Sequence, residues 1–269
     1  MRLEGRTAPP RLPPVIGHRG AAAWAPENTL AGLRRAKALG CTWVEFDVRL
    51  TGDGAPVLCH DPLLDRTTNG SGLVSAKSLA AIRECDAGSW FDPSFAGERV
   101  PTLDEVLLLA AELDLGANVE MKSDRGREYA TAAAVATTVQ RLRGRTPAVL
   151  VSSFLPSALA ALRELAPQIP RGLLFHFIPR GWAELALRLG CTMIGADQRR
   201  LRPSRVAAIR AAGYKLAAFT VNDPARARLL FDWGVTSVFS DAPDIIHAGI
   251  MPAASAGHSP ALARQGAMR

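Results

Sequence analysis

The feature that most constrains the fold of this chain is a repeated unit: an amphipathic helix, a glycine, then a short apolar strand. It reads LRRAKALG–CTWVEFDV to Val48, LALRLG–CTMIGAD to Asp197, AIRAAG–YKLAAFTV to Val221 and LLFDWG–VTSVFSD to Asp241. Gly40, Gly190, Gly213 and Gly234 fit the position just past a helix, where a left-handed backbone closes the last turn at low cost. Strands this uniformly apolar, with helices between them, belong to a parallel sheet covered on both faces. Helical period is clear at Leu103, Val106, Leu107, Ala110 and Leu113, and again at Tyr129, Ala133, Ala136, Val139 and Leu142. Pro224, behind Asn222-Asp223, takes the place of a first-turn proline after a capping residue.

Strands are expected at 15–17, 43–48, 56–59, 118–121, 149–152, 172–175, 193–195, 215–220 and 237–239. That is one more than a (β/α)8 barrel needs. Only eight residues separate Asp47 from Pro56, and they include Gly52-Asp53-Gly54. This is too short for a helical crossover, so one unit there is irregular. Residues 61–100 lack a clean period, contain Asn69-Gly70, Gly72, Gly88, Pro93 and Gly97, and read as a long excursion. The expected architecture is a single TIM-type (β/α)8 barrel over residues 13–250, with a flexible arm at 1–12 and a disordered tail at 251–269. An open doubly wound sheet is the alternative.

Composition narrows the function classes. Of the 269 residues, 48% are hydrophobic and 21% charged, which excludes a disordered chain. No apolar run reaches the roughly 18–20 residues of a membrane span, so membrane insertion is not expected. MRLEGRTAPPRLP carries Arg2, Arg6 and Arg11 but no apolar core of a secretion signal. Cys41, Cys59, Cys85 and Cys191 form no CxxC pair, and reduced cysteines in the cytoplasm are expected. The net charge is +7, of which residues 1–13 contribute +2 (three Arg less Glu4) and residues 252–269 another +2 (Arg264 and Arg269). The remaining arginines are dispersed over helical segments without an aromatic-interleaved basic stripe. A nucleic-acid partner is therefore not expected, whereas an anionic small substrate is.

The chemistry gathers at strand ends. In a parallel barrel, reactive groups sit at the C-terminal ends of the strands. The first strand runs into His18-Arg19-Gly20, the second ends Glu45-Phe46-Asp47, the third runs into His60-Asp61, and the fourth carries Glu120-Met121-Lys122. Side chains at i and i+2 share a face, so Glu45 joins Asp47 and Glu120 joins Lys122. Three carboxylates converging on one point repel one another, and a divalent cation resolves this. All-oxygen ligands select Mg²⁺ or Ca²⁺ over zinc. Rim salt bridges, such as Glu120 with Lys122 or Arg19, are the bland alternative. Arg19 and Lys122 suit nonbridging phosphate oxygens. Two histidines allow one to take a proton from a nucleophilic hydroxyl and the other to give one to a leaving alkoxide. Pro26-Glu27-Asn28-Thr29 reads as a capped helix start. Asp197, Gln198 and Asn222 are candidate substrate contacts. Trp90-Phe91 is a wall, a lid or core, and His176, His247 and His258 are ordinary rim histidines.

These residues resemble those of the glycerophosphodiester phosphodiesterase family. The similar stretches are GHRGAAAWAPENTLAG (17–32), VEFDVRLTGDGAPVLCHDPLLDRTTNGSG (44–72), ANVEMK (117–122), SSF (152–154), FTVND (219–223) and VFSDAPD (238–244), in the family's order. The likeness is to the compact cytoplasmic bacterial type. It implies a phospholipase-C-like TIM barrel that hydrolyses glycerophosphodiesters, such as those of choline or ethanolamine, to sn-glycerol 3-phosphate and an alcohol. It also implies a divalent metal on Glu45, Asp47 and Glu120, acid–base roles for His18 and His60, and substrate contacts from Arg19, Lys122 and Phe219. A further implication is attack by the glycerol 2-hydroxyl, giving a cyclic phosphate that water opens. Two departures stand out: Phe219, where many members carry Trp, and Ser123, where Pro is common. The first keeps an aromatic platform and points to altered headgroup preference. Competing functions are a phospholipase-like lyase that stops at the cyclic phosphate and a barrel that binds phosphodiesters without turnover. No heptad or surface period marks an oligomer interface.

Overall fold

The computed structural model describes residues 10–146 and 148–250. The expected tail at 251–269 lies outside them, as does the arm before residue 10. The strands are β1 (Val15–Gly17), β2 (Trp43–Leu50), β3 (Pro56–Leu58), β4 (Gly116–Met121), β5 (Val149–Ser153), β6 (Arg171–Phe175), β7 (Met193–Asp197), β8 (Lys215–Phe219) and β9 (Ser237–Ser240). The helices are α1 (Leu30–Ala38), α2 (Leu79–Arg83), α3 (Leu103–Glu112), α4 (Glu128–Arg141), α5 (Pro156–Leu165), α6 (Trp182–Arg188), α7 (Pro203–Ala211), α8 (Pro224–Asp232) and α9 (Pro243–Ile250). Eight of the strands run parallel and close on themselves, because β1 pairs with β9 on one side and with β2 on the other. The four predicted helix-ending glycines all have positive φ.

β3 is the strand outside the barrel. It pairs antiparallel with β2, Leu50 facing Pro56 and Val48 facing Leu58. This is the irregular unit expected between Asp47 and Pro56, and its cause is local. Gly54 N–H donates to the Thr51 carbonyl, and Thr51 and Ala55 bond across the turn, so the chain reverses in five residues with no room for a helix. The reversal returns the chain to the rim, where Cys59 N–H donates to the Asp47 carbonyl. Residues 61–100 form an irregular excursion, with one short helix, two 3₁₀ turns and isolated bridges. It packs on a small apolar cluster of its own, including Val57, Leu64, Val74, Ile82 and Val100.

Strand parity divides the core in two. Val44, Phe46, Val48, Val119, Leu173, Ile194 and Leu216 face outward into the main layer beneath the helices. The alternate residues, among them Ile16, Trp43, Leu150, Leu174, Met193 and Phe239, fill the barrel interior, joined by Leu12 from the preceding segment. A Cβ on Gly116 would stand 2.2 Å from the Trp43 ring, so the interior indole depends on that glycine. Toward the C-terminal ends of the strands, the same inward parity stops delivering apolar groups and delivers charged ones. All four cysteines are buried, and none is in a disulfide among the described residues. No helix among the described residues is long and apolar enough to cross a membrane.

Candidate active site

Glu45 and Asp47 on β2 and Glu120 on β4 meet at this end. Asp47 stands beside Glu120 in the β2–β4 register, and Glu45 beside Asn118. The three carboxylates are 1%, 1% and 8% exposed, and one oxygen from each lies within 4.8 Å of the others. Two cations stand among them. Arg19 Nε is 3.4 Å from Asp47, and Lys122 Nζ is 2.5 Å from Glu120 and 3.4 Å from Asp47. Arg19 adopts a left-handed backbone (φ 50°), which costs about 1–2 kcal/mol for a non-glycine residue. That conformation turns its N–H onto Glu45 Oε2 at 3.0 Å. Gly20 follows with φ 91°, and a Cβ there would strike the Gly32 backbone at 2.6 Å, so this turn sits directly on α1.

Burial and repulsion set the charge states. Burial first, then Asp47 and Glu120, hold the Glu45 carboxyl well above the usual carboxylate range. Burial and the neighbouring Asp47 push Glu120 up to about 7, against the pull of Lys122. Asp47 goes the other way: burial opposes its ionisation, but Lys122 and Arg19, helped by His60 and by a hydrogen bond from Asn28, hold it low. Lys122 is disfavoured by burial, yet Glu120 and Asp47 outweigh that and raise it. Three carboxylates against two cations leave one acidic group in excess. Glu45 Oε1 is buried with no hydrogen-bond partner among the described residues. An oxygen-only donor set with an orphaned buried carboxylate oxygen fits a hard divalent cation, and Glu45, Asp47 and Glu120 are the residues to hold it.

Two histidines flank the carboxylates, each bound through Nδ1 to an acid. His18 Nδ1 is 2.6 Å from Asp241 Oδ1 at the end of β9, and its Nε2 lies 3.8 Å from Glu45. His60 Nδ1 is 2.7 Å from Asp61 Oδ1. In both pairs the ring N–H donates to the carboxylate, fixing the tautomer that leaves Nε2 for proton transfer. Burial lowers the His60 pKa despite the attraction of Asp47. Asp241 stays below its ordinary value because His18 and Asn222 outweigh its burial. Asn222 Nδ2 donates to Asp241 Oδ2 while its Oδ1 accepts from the Asp241 N–H and from Ser240 Oγ.

His18, Arg19, Glu45, Asp47, His60, Glu120 and Lys122 are thus brought together. Phe219 lies to one side, its ring 5.5 Å from Phe154 and 6.1 Å from His176, and Lys122 Nζ sits 5.3 Å from the centre of the Phe154 ring. Several residues of the network were not singled out from sequence. Asp241 and Asp61 hold the histidines. Glu27 accepts from Arg19 at 2.8 Å and doubly from Arg66, which also donates to Asp61 at 2.5 Å. Asn28, left-handed and buried, clasps Asp47 through both its amide oxygen and nitrogen. The segment 26–29 is also the helix start it looked like, since Thr29 caps α1. His176 stacks on Phe154 at 4.3 Å, a closer association with the site than a rim histidine implies. Asp197 caps a 3₁₀ turn, Gln198 accepts from Arg226, and His247 stands on α9 with Nε2 buried and without a hydrogen-bond partner among the described residues. His258 lies outside the described residues.

The chain resembles known proteins over most of its length. Residues 18–245 match the glycerophosphoryl diester phosphodiesterase family. A glycerophosphodiester phosphodiesterase of Caldanaerobacter subterraneus subsp. tengcongensis is 35% identical over 86% of this chain and 95% of its own. A phosphodiesterase of Oleispira antarctica, solved with the product sn-glycerol 3-phosphate, is 41% identical and superposes with a TM-score of 0.87 over 89% of this chain and 97% of its own. A glycerophosphodiester phosphodiesterase of Agrobacterium tumefaciens gives 31% and 0.76 over 88% and 100%. With the match spanning nearly the whole barrel and the rim residues lying inside it, the chain belongs to the glycerophosphoryl diester phosphodiesterase family.

Proposed function

We propose that this glycerophosphodiester phosphodiesterase hydrolyses small deacylated headgroup diesters, such as glycerophosphocholine and glycerophosphoethanolamine, to sn-glycerol 3-phosphate and the free alcohol. The observation that carries the reading is the pair of histidines, each anchored through Nδ1 to its own aspartate, on the border of a buried three-carboxylate cluster. His18 and His60 form the acid–base pair: one accepts the proton of the attacking hydroxyl, the other protonates the departing alkoxide. Glu45, Asp47 and Glu120 hold a divalent cation, Mg²⁺ or Ca²⁺, which when bound offsets charge developing on the phosphoryl oxygens. Arg19 and Lys122 orient the phosphate, Arg through its planar fork and Lys as a point charge. Phe219, beside Phe154, supplies an apolar wall for the substrate. The glycerol 2-hydroxyl attacks first, and water then opens the cyclic phosphate with the histidines in exchanged roles. A cytoplasmic setting is supported by four buried cysteines held as thiols rather than disulfides.

The test is release of glycerol 3-phosphate from glycerophosphocholine by the purified full chain, after EDTA and after restoring Mg²⁺ or Ca²⁺. Metal-restored release is expected, and none with either ion from a folded sample would refute the proposal. Product analysis separates the lyase: a cyclic phosphate that accumulates without being opened would replace the hydrolase reading.

A further inference from the structure

A cavity of about 420 Å³ opens between the chain leaving β6 and the segment that joins β7 to the start of α7. Its polar lining includes Asp197, Arg199, Arg200, Arg202 and Arg205. His176, which also lines it, links it to the carboxylate cluster, because that ring stacks on Phe154, over which Lys122 stands. Elsewhere in the fold Arg163 and Arg171 donate to backbone carbonyls, and Arg19, Arg49, Arg66, Arg83 and Arg141 have carboxylate partners. None of the four cavity guanidinium groups has one among the described residues, and the only lining carboxylate, Asp197, accepts the backbone N–H of Arg199. Arg199, Arg200, Arg202 and Arg205 lie within seven consecutive residues, and the β7–α7 connection wraps that short run around one hollow. Four uncompensated like charges raise one another's energy, and an anion with several acceptor oxygens relieves it.

We infer that this cavity is a second anion subsite. It selects glycerophosphodiesters whose alcohol carries a further phosphate, the scissile phosphate lying at Arg19 and Lys122 and the second one among Arg199, Arg200, Arg202 and Arg205. This rests on the substrate class proposed above and narrows it. Guanidinium forks match phosphate oxygens in pairs, and a headgroup such as choline, which is cationic, gains nothing from them.

The test compares glycerophosphoglycerol with bis(glycerophospho)glycerol, which has the same central alcohol and one more phosphodiester. Binding is measured by calorimetry on the full chain in chelator, and kcat/KM on the metal-loaded enzyme. The doubly charged compound is expected to bind about tenfold more tightly and to exceed by a similar factor the twofold statistical advantage of its two scissile ends. Arg199→Gln, Arg200→Gln and Arg202→Gln, singly and combined, should reduce both differences stepwise and leave kcat on glycerophosphoglycerol unchanged. All three side chains are exposed, so the fold does not depend on them. Equal binding of the two compounds, or a preference that survives the triple variant, would overturn the inference. So would arginine-dependent binding to phosphatidylglycerol vesicles without discrimination between the soluble compounds, because Phe177 on the same wall is 70% exposed and that result would assign the surface to a membrane. Turnover of neither compound, with arginine-dependent discrimination intact in binding, would sink the proposed reaction and leave the second-phosphate site standing.

Discussion

The carboxyl groups of Glu45 and Glu120 keep their protons far above the pH at which an exposed glutamate loses its own. In the unfolded chain both ionise near 4.5, and in the folded chain Glu120 does so only at about 7. The folded state therefore binds more protons than the unfolded one across that window, and stability falls as pH rises through it. Asp47 has the opposite sign, with a contribution lost only as pH drops below the ordinary aspartate range. The chelated protein should thus melt at a lower temperature at pH 8 than at pH 5. Added Mg²⁺ or Ca²⁺ should raise the midpoint more at pH 8, since ion and protons compete for the same oxygens. Scanning fluorimetry would show this, and stabilisation independent of pH would contradict it. Asp241→Asn should cost roughly 10²-fold in kcat, because the amide no longer fixes the His18 tautomer, with metal affinity unchanged. Activity close to wild type would deny Asp241 an orienting role. His18, Arg19, Glu45, Asp47, His60, Glu120 and Lys122 were legible in the sequence because each breaks an apolar strand at its end. Asp241, Glu27 and Arg66 were not, because each acts on a group brought near only by folding.

Among the elements, β6 begins with Arg171, 1% exposed and set far from the catalytic end. Its guanidinium donates to the carbonyls of Ala166, Pro167, Ile169, Leu189 and Gly190, which follow α5 and α6. A cation there satisfies oxygens left over at two helix C-termini and complements both dipoles. Arg171→Leu should destabilise the protein by about 3–5 kcal/mol, read by urea denaturation, because those carbonyls lose their donor inside the protein. A loss below about 1 kcal/mol would mean that water replaces the side chain. The nine strands were nearly all visible as apolar runs. The sequence did not say which lay outside the barrel, because the antiparallel pairing of β3 depends on a five-residue reversal whose direction no periodicity encodes. His60 consequently reaches the rim from a hairpin rather than from a barrel strand.

For the molecule as a whole, a formal charge of +7 accompanies a site that takes an anionic diester. Long-range attraction of this kind is screened beyond about 10 Å at 0.1 M salt. Raising ionic strength from about 10 to 500 mM should lower kcat/KM several-fold while kcat changes little. A flat profile would show that the distributed charge plays no part in capture. Closure of the barrel has another consequence. β1 has a single pairing with β2 but three with β9, and the His18–Asp241 bond spans 223 residues of sequence. The three clustered carboxylates are complete by residue 120, whereas the partner of the first histidine arrives only at residue 241. The strand that closes the barrel is thus also the one that brings His18 its orienting carboxylate, so barrel closure and the aim of that ring are a single event.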